Sequence, residues 1–238
     1  MKKTILTAIC LALVLKSSGS VPPPKAFQPG GPSIFEIGNG LKEALVQGTA
    51  KSSDQLSAVN GFFGNTAVKI LFPPQAQKAE KALRGLGLNQ LCDNVILSFN
   101  RAAEDAAKQA EPIFLDAIRQ MNIQDVTNIL LGPPDAATQY FKRTTSAQLA
   151  FTFKPIIQNC LNKAGATKYY ADFAKEYNKI PFVGKINPDI NDYVTQKAIS
   201  GLFYEIALEE LNIRKNIGAR TTPLLQKVFA FADSNQKQ

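Results

Sequence analysis

Apolar residues recur every three or four positions along most of this chain, and proline and glycine punctuate the stretches between them. The clearest run is Asp189 to Asn216, where Ile190, Val194, Ala198, Leu202 and Ile206 form an i,i+4 stripe continued by Ile213. That spacing puts one apolar face on an α-helix. Ser33-Ile34-Phe35-Glu36 fits a capping box, followed by Ile37, Leu41 and Leu45 at helical spacing. A short helical turn near Leu56 to Val59 ends at Asn60-Gly61. A helix follows from about Pro74 to Leu86, and a long one from Leu88 carries Leu91, Val95, Phe99, Ala102, Ala103, Ala106 and Ala110. Pro112 kinks that helix or starts the next segment, Ile113 to Met121. Asn122 and Asp135 can cap two short helices, through Leu131 and Lys142. Thr145 can cap a longer one, kinked at Pro155 and stopped near Gly165. An aromatic helix around Tyr169, Tyr170, Phe173 and Tyr177 ends at Ile180-Pro181. Thr222-Pro223 starts the last helix, with Leu224, Leu225, Val228 and Phe229 on its apolar face. Ala67 to Phe72 is the one extended candidate. The pattern predicts an all-α fold of about eight to ten helices in a single domain, 33–232, with a polar tail at 233–238.

The N-terminus departs from this periodicity. Lys2 and Lys3 precede an eleven-residue apolar run, Ile5 to Leu15, followed by Ser17, Ser18, Gly19 and Ser20. This is the layout of a secretory signal peptide, 1–20, with cleavage expected near Ser20. The run is shorter than the roughly 20 residues a membrane-spanning helix needs. Residues 21–32 hold five prolines and two glycines and read as a linker. The expected destination is the periplasm or cell envelope, with no transmembrane span in the mature chain. Removing residues 1–20 takes away three lysines and no acid, so the net charge falls from +8 to +5. In an envelope compartment that excess suits anionic lipid, polymer or protein partners, not nucleic acid. A solvated surface rich in scattered lysines accounts for it equally simply.

Composition excludes several chemistries. There is no histidine, which removes Ser-His-Asp and Cys-His nucleophile pairs and imidazole metal ligands. There is no tryptophan to serve as a stacking platform. No carboxylate cluster has calcium-loop spacing and no glycine-rich loop suits a phosphate, so neither metal nor cofactor is expected. Cys10 falls in the signal run. Cys92 and Cys160 remain, and either a disulfide or two buried free thiols is consistent with an exported chain.

Two identical tripeptides, Arg143-Thr144-Thr145 and Arg220-Thr221-Thr222, each precede an expected helix. Unpaired N–H groups at a helix start, with an adjacent arginine, can bind a phosphate or carboxylate. Helix capping and ordinary ion pairing are the plainer account of both. Glu104 lies four residues from both Asn100 and Lys108, and Arg101 four from Asp105, as in surface pairing. The sharper reading makes Glu104 a partly buried acid facing a cleft. Glu209, Glu210 and Arg214 form a further i,i+4 set, either a solvated face or a link to a neighbouring helix. Asp116, with Arg119 and Gln120 beside it, reads as surface.

Several blocks in order carry a family resemblance: LKEALVQG (41–48), NRAAEDAAKQAEPIFLDAI (100–118), ILLGPPDAATQYFKRTTSAQL (129–149), YVTQKAISGLFYEIALEELNIR (193–214) and ARTTPLLQKVF (219–229). The chain resembles the bacterial family catalogued as domain of unknown function 4197, over roughly Gly40 to Ala230. The resemblance implies exported or envelope-associated helical proteins without an assigned activity or catalytic residues. Many members look like lipoproteins; here Cys10 is poorly placed for a lipid.

The expected function is a non-catalytic binding or structural module for an apolar or anionic envelope component, or for an envelope protein. In the binding version an acyl chain lies between helices and Arg101, Arg143 and Arg220 meet its polar end, which requires a large apolar cavity. The alternative is a cell-wall hydrolase using Glu104, which requires an open cleft above that acid.

Overall fold

Local caps set several helix boundaries where the sequence puts them. Helix α1 (Ile34–Ser57) begins at the Ser33 capping box, with Glu36 N–H donating to Ser33 Oγ at 3.2 Å and Ser33 N–H to Glu36 at 2.8 Å. Asn122 and Asp125 form the equivalent box at α5 (Ile123–Leu130). Asp189 Oδ1 accepts the Asn191 N–H at the start of α8 (Ile190–Lys215). Thr222 Oγ1 accepts the Leu225 N–H, with Pro223 in the first position of α9 (Pro223–Gln236). The computed structural model describes residues 31–179 and 184–236. The expected signal segment, residues 21–30 of the expected linker, and Ile180-Pro181 lie outside the described residues.

The remaining elements are a 3₁₀ turn at Pro74–Ala76, α2 (Gln77–Gly85), α3 (Asn89–Ala107), α4 (Ala110–Arg119), α6 (Ala136–Lys163), α7 (Ala166–Tyr177) and a 3₁₀ turn at Ile217–Ala219. The fold is all-α, and no strand occurs among the described residues. Ala67 to Phe72, expected to be extended, is turn and irregular backbone. Pro112 does not kink α3; it sits in the first turn of α4, where its missing N–H has no intrahelical partner to lose.

Three boundaries differ from expectation. Helix α1 runs without a break through Gly48 to Ser57. Its buried hydroxyls donate back along the helix, Thr49 to Leu45 O and Ser52 to Gly48 O, both at 2.8 Å. Helix α6 is one helix where two were expected. Pro155 is tolerated within it because Pro155 and Phe151 both face solvent, so water can reach the carbonyl that lacks its i+4 donor. Finally, α9 continues to Gln236, so the expected polar tail begins inside a helix.

Helices α1, α6 and α8 form the centre. Helix α1 touches α3, α4, α5, α8 and α9, while α6 touches α3, α4, α5, α7 and α8. Early α6 meets late α8 at Ala137 and Glu210, and late α6 meets early α8 at Lys154 and Asp192, so the two run antiparallel. One apolar core joins these elements, with Phe62, Phe99, Phe114, Phe141 and Phe153 fully buried. Phe114 meets Phe141 edge-on at 5.2 Å between ring centroids, a geometry favoured by the ring quadrupoles. Glycine permits two close approaches. An added Cβ at Gly40 would lie 2.7 Å from Val228 of α9, and one at Gly201 would lie 2.5 Å from Phe62.

Candidate functional site

The buried charges of this chain are held by the fold itself. Glu210, late in α8, accepts the N–H groups of Ala137 and Thr138 at 2.9 Å each and the Thr138 hydroxyl at 2.8 Å. It therefore caps α6, a role Asp135 does not take. Arg214, one turn on, pairs with Glu210 at 2.9 Å and donates to the Ile129 and Leu130 carbonyls at the end of α5. The carboxylate thus meets a positive helix end and the guanidinium a negative one. Of the two readings of this set, the link to a neighbouring helix is the observed one.

A second group fixes the irregular loop 58–73. Glu104 is 4% exposed, and its Oε1 accepts the N–H groups of Phe62 and Phe63 at 3.2 and 3.1 Å. Its Oε2 pairs with Arg101, which also donates to Asn60 at 2.8 Å. Asn100 donates to Ile70 O and accepts from Ile70 N, and Glu205 accepts from the Asn65 and Gln55 side chains. Glu104 does not pair with Lys108, which bonds Asp105 at 2.7 Å. It is buried, as the sharper reading expected, but it is a loop anchor that lines none of the cavities described below.

The two tripeptides have unlike surroundings. Arg220 is 3% exposed; it donates to the Ile213 and Arg214 carbonyls and forms a two-pronged pair with Asp233. It closes the C-terminal end of α8 against α9, so its guanidinium is an internal strut. Thr221 donates to the Gln47 side chain, and Thr222 caps α9. Arg143-Thr144-Thr145 precedes no helix start, because it lies in the middle of α6. There the Thr144 and Thr145 hydroxyls donate back to the Tyr140 and Phe141 carbonyls at 2.9 and 2.7 Å. Arg101, Arg143 and Arg220 are not gathered at one site.

Cys92 and Cys160 are both free. Cys92 lies near the start of α3, whereas Cys160 bonds Asp105 near its end, at 3.4 Å. Thirteen residues of helix separate the two points, about 20 Å at 1.5 Å per residue, far beyond disulfide reach. Burial pushes both thiols up from their ordinary value, helped at Cys160 by the Asp105 carboxylate.

Two spaces among the described residues differ sharply in size and setting. The apolar void between α1, α6, α8 and α9, bordered by Leu41, Phe141, Ile206 and Phe229, is about 30 Å³. That volume suits a water molecule, not an acyl chain. A cleft of about 490 Å³ lies between α4 and α6. Pro112, Ile113, Asp116, Ala117 and Gln120 line one wall; Tyr140, Thr144, Thr145 and Gln148 line the other. The Tyr140 phenol donates to Ala117 O at 3.0 Å and ties the walls together. Burial pushes that phenol up, with Asp125 adding to the effect, so it keeps its proton. Asp116 pairs with Arg119 at 2.9 Å, and Arg143 stands 5.4 Å from the Tyr140 ring centroid. Thr144 and Thr145 therefore reach a cleft, though not through a helix end. The cleft itself has a sequence signal, polar or aromatic residues at i,i+4 on both helices: Asp116 with Gln120, and Tyr140 with Thr144 and Gln148.

Residues 32–230 match the sequence profile of a family described as protein of unknown function, DUF4197. The chain belongs to this family. No curated protein and no solved structure matches the chain. The DUF4197 match ends within α9, so the family unit runs from α1 to the body of α9. Both walls of the α4/α6 cleft, and the Glu210–Arg214 link, fall inside it.

Proposed function

We propose that this DUF4197 protein is an exported, non-catalytic helical module of the cell envelope that binds through its surface. One contrast carries the reading: the core void is about 30 Å³, whereas the α4/α6 cleft is about 490 Å³. An acyl chain needs an enclosed apolar space of several hundred Å³, so the interior favours a partner met outside the core. The hydrolase alternative has less support. Glu104 already accepts two backbone N–H groups and pairs with a guanidinium, and Asp116 in the cleft is exposed and paired with Arg119. A wall-cleaving site needs two carboxylates facing one substrate.

Expression of the whole chain in a bacterium, followed by fractionation and native mass spectrometry before and after organic extraction, tests the reading. The expected result is envelope-fraction protein whose N-terminus starts at Val21 and whose mass is unchanged by extraction. A lipid-sized adduct removed by extraction, or retention in the cytoplasm with residues 1–20 intact, overturns it.

A further inference from the structure

We propose that the α4/α6 cleft binds a chain of N-acylated amino sugars, with Arg143 receiving an acid substituent on one ring. The proposal rests on the envelope reading only for where such a chain is met. At about 490 Å³ the cleft falls within the roughly 300–1,000 Å³ of small-ligand sites.

Its groups are mixed in the way such a ligand requires. The side-chain amides of Gln120 and Gln148 have no hydrogen-bond partner among the described residues, and each can both donate and accept. Thr144 and Tyr140, both lining the cleft, use their protons on the Tyr140 and Ala117 carbonyls, which leaves their oxygens able only to accept. Hydroxyl and acetamido groups match this alternation. Pro112, Ile113 and Ala117 supply apolar surface for ring C–H faces and acetyl methyls.

Charge narrows the class further. Asp116 is offset by Arg119, whereas Arg143 is exposed and makes no ion pair among the described residues. One uncommitted guanidinium suits one carboxylate and gives too little charge for a polyphosphate. An extended peptide is disfavoured for a different reason. Such peptides gain affinity by pairing with an exposed strand edge, and both walls here are helical, which offers none. Recognition must therefore come from side chains.

The test is calorimetric titration of the purified protein with two probes. One is tetra-N-acetylchitotetraose, which is neutral; the other is the disaccharide of N-acetylglucosamine and N-acetylmuramic acid, which carries a lactyl carboxylate. The expected result is saturable binding of both, tighter for the acidic probe on a per-ring basis. Gln120→Ala and Gln148→Ala each weaken both probes roughly two- to tenfold, the worth of one hydrogen bond. Gln148 is exposed within α6 and Gln120 is exposed at the C-cap of α4 with helical backbone angles, so alanine is well tolerated at both, folding is preserved and circular dichroism checks it. Arg143→Gln weakens the acidic probe and leaves the neutral one unchanged. Absence of saturation with either probe overturns the site, as does binding that both glutamine variants leave intact. An envelope-located protein that binds neither sugar ends this inference alone. A sugar-binding protein retained in the cytoplasm ends the envelope reading alone.

Discussion

Replacement of Glu210 by alanine should be among the costliest single changes in this protein. Two N–H groups in the first turn of α6 lose their acceptor, and the Arg214 guanidinium, with a side chain only 10% exposed, loses its counter-charge. Breaking a buried pair by removing one partner costs about 3–5 kcal/mol. A domain of this kind has a total stability of about 5–15 kcal/mol, so the loss is a large fraction. At about 2–4 °C per kcal/mol for this chain length, the melting temperature should fall by roughly 6–20 °C. The neighbouring residue supplies the control. Glu209 pairs with Lys51 at 2.7 Å, but that lysine is 59% exposed, and Glu209→Ala should cost only about 0–1 kcal/mol. Urea unfolding followed by circular dichroism at the helix band measures both. Arg214→Ala and the double variant complete a cycle, and the double loss should be smaller than the two single losses added together. A Glu210→Ala loss below about 1 kcal/mol, or one no larger than that of Glu209→Ala, would refute the assignment of Glu210 as the cap of α6.

Other outcomes follow from neighbouring features. Gly201→Ala should destabilise by about 1–3 kcal/mol, since its Cβ would stand 2.5 Å from Phe62 and 3.3 Å from Val68, whereas Gly38→Ala meets nothing within 4 Å and should stabilise α1 by up to about 1 kcal/mol; thermal melts of the two variants should move in opposite directions. Hydrogen bonds from Lys227 and from Ser33 hold the Glu36 carboxyl at about 2, below its ordinary 4.5. Its contribution to stability is therefore present above pH 4.5 and lost as pH falls toward 2, and Glu36→Gln should flatten the stability profile across that window. In native protein Cys92 should resist thiol reagents and Cys160 should react slowly, with both labelled after unfolding; a mass two daltons light, signalling a bridge, would contradict the distance between them.

Much of the fold was legible because several helix starts here are local. Ser33, Asn122, Asp189 and Thr222 each carry their own cap, and the α8 stripe needs no distant partner to be read. Reading failed where the deciding group is remote. Asp135 resembles a cap, but the N–H groups of α6 are taken by Glu210, more than seventy residues later. Arg143-Thr144-Thr145 looks like a helix start because threonine hydroxyls cap helices, yet inside a helix the same hydroxyl bonds the carbonyl four residues back. Spacing alone favours surface pairing for Glu104; it is instead buried, without the cleft the sharper reading required, because its partners belong to a loop some forty residues earlier with no motif of its own. The cleft shows the same limit. Its stripes on α4 and α6 are visible in sequence, while the fact that they face each other depends on how the two helices pack around Phe114 and Phe141.

The central position of α1 has a consequence for how the chain is made. This helix leaves the ribosome first among the described elements, yet its neighbours α8 and α9 are the last two synthesised. Loop 58–73 likewise waits for Glu205, which is 140 residues beyond the Asn65 it holds. A growing chain can pack α1 on α3, α4 and α5 and fix part of the loop on Asn100 and Glu104. The side of α1 that meets α8 and α9, and the Asn65 end of the loop, stay open until translation is nearly complete. Nascent chains stopped before Asp189 should therefore be more sensitive to protease within residues 34–73 than the whole chain, and the last increment of protection there should appear once α8 and α9 have emerged.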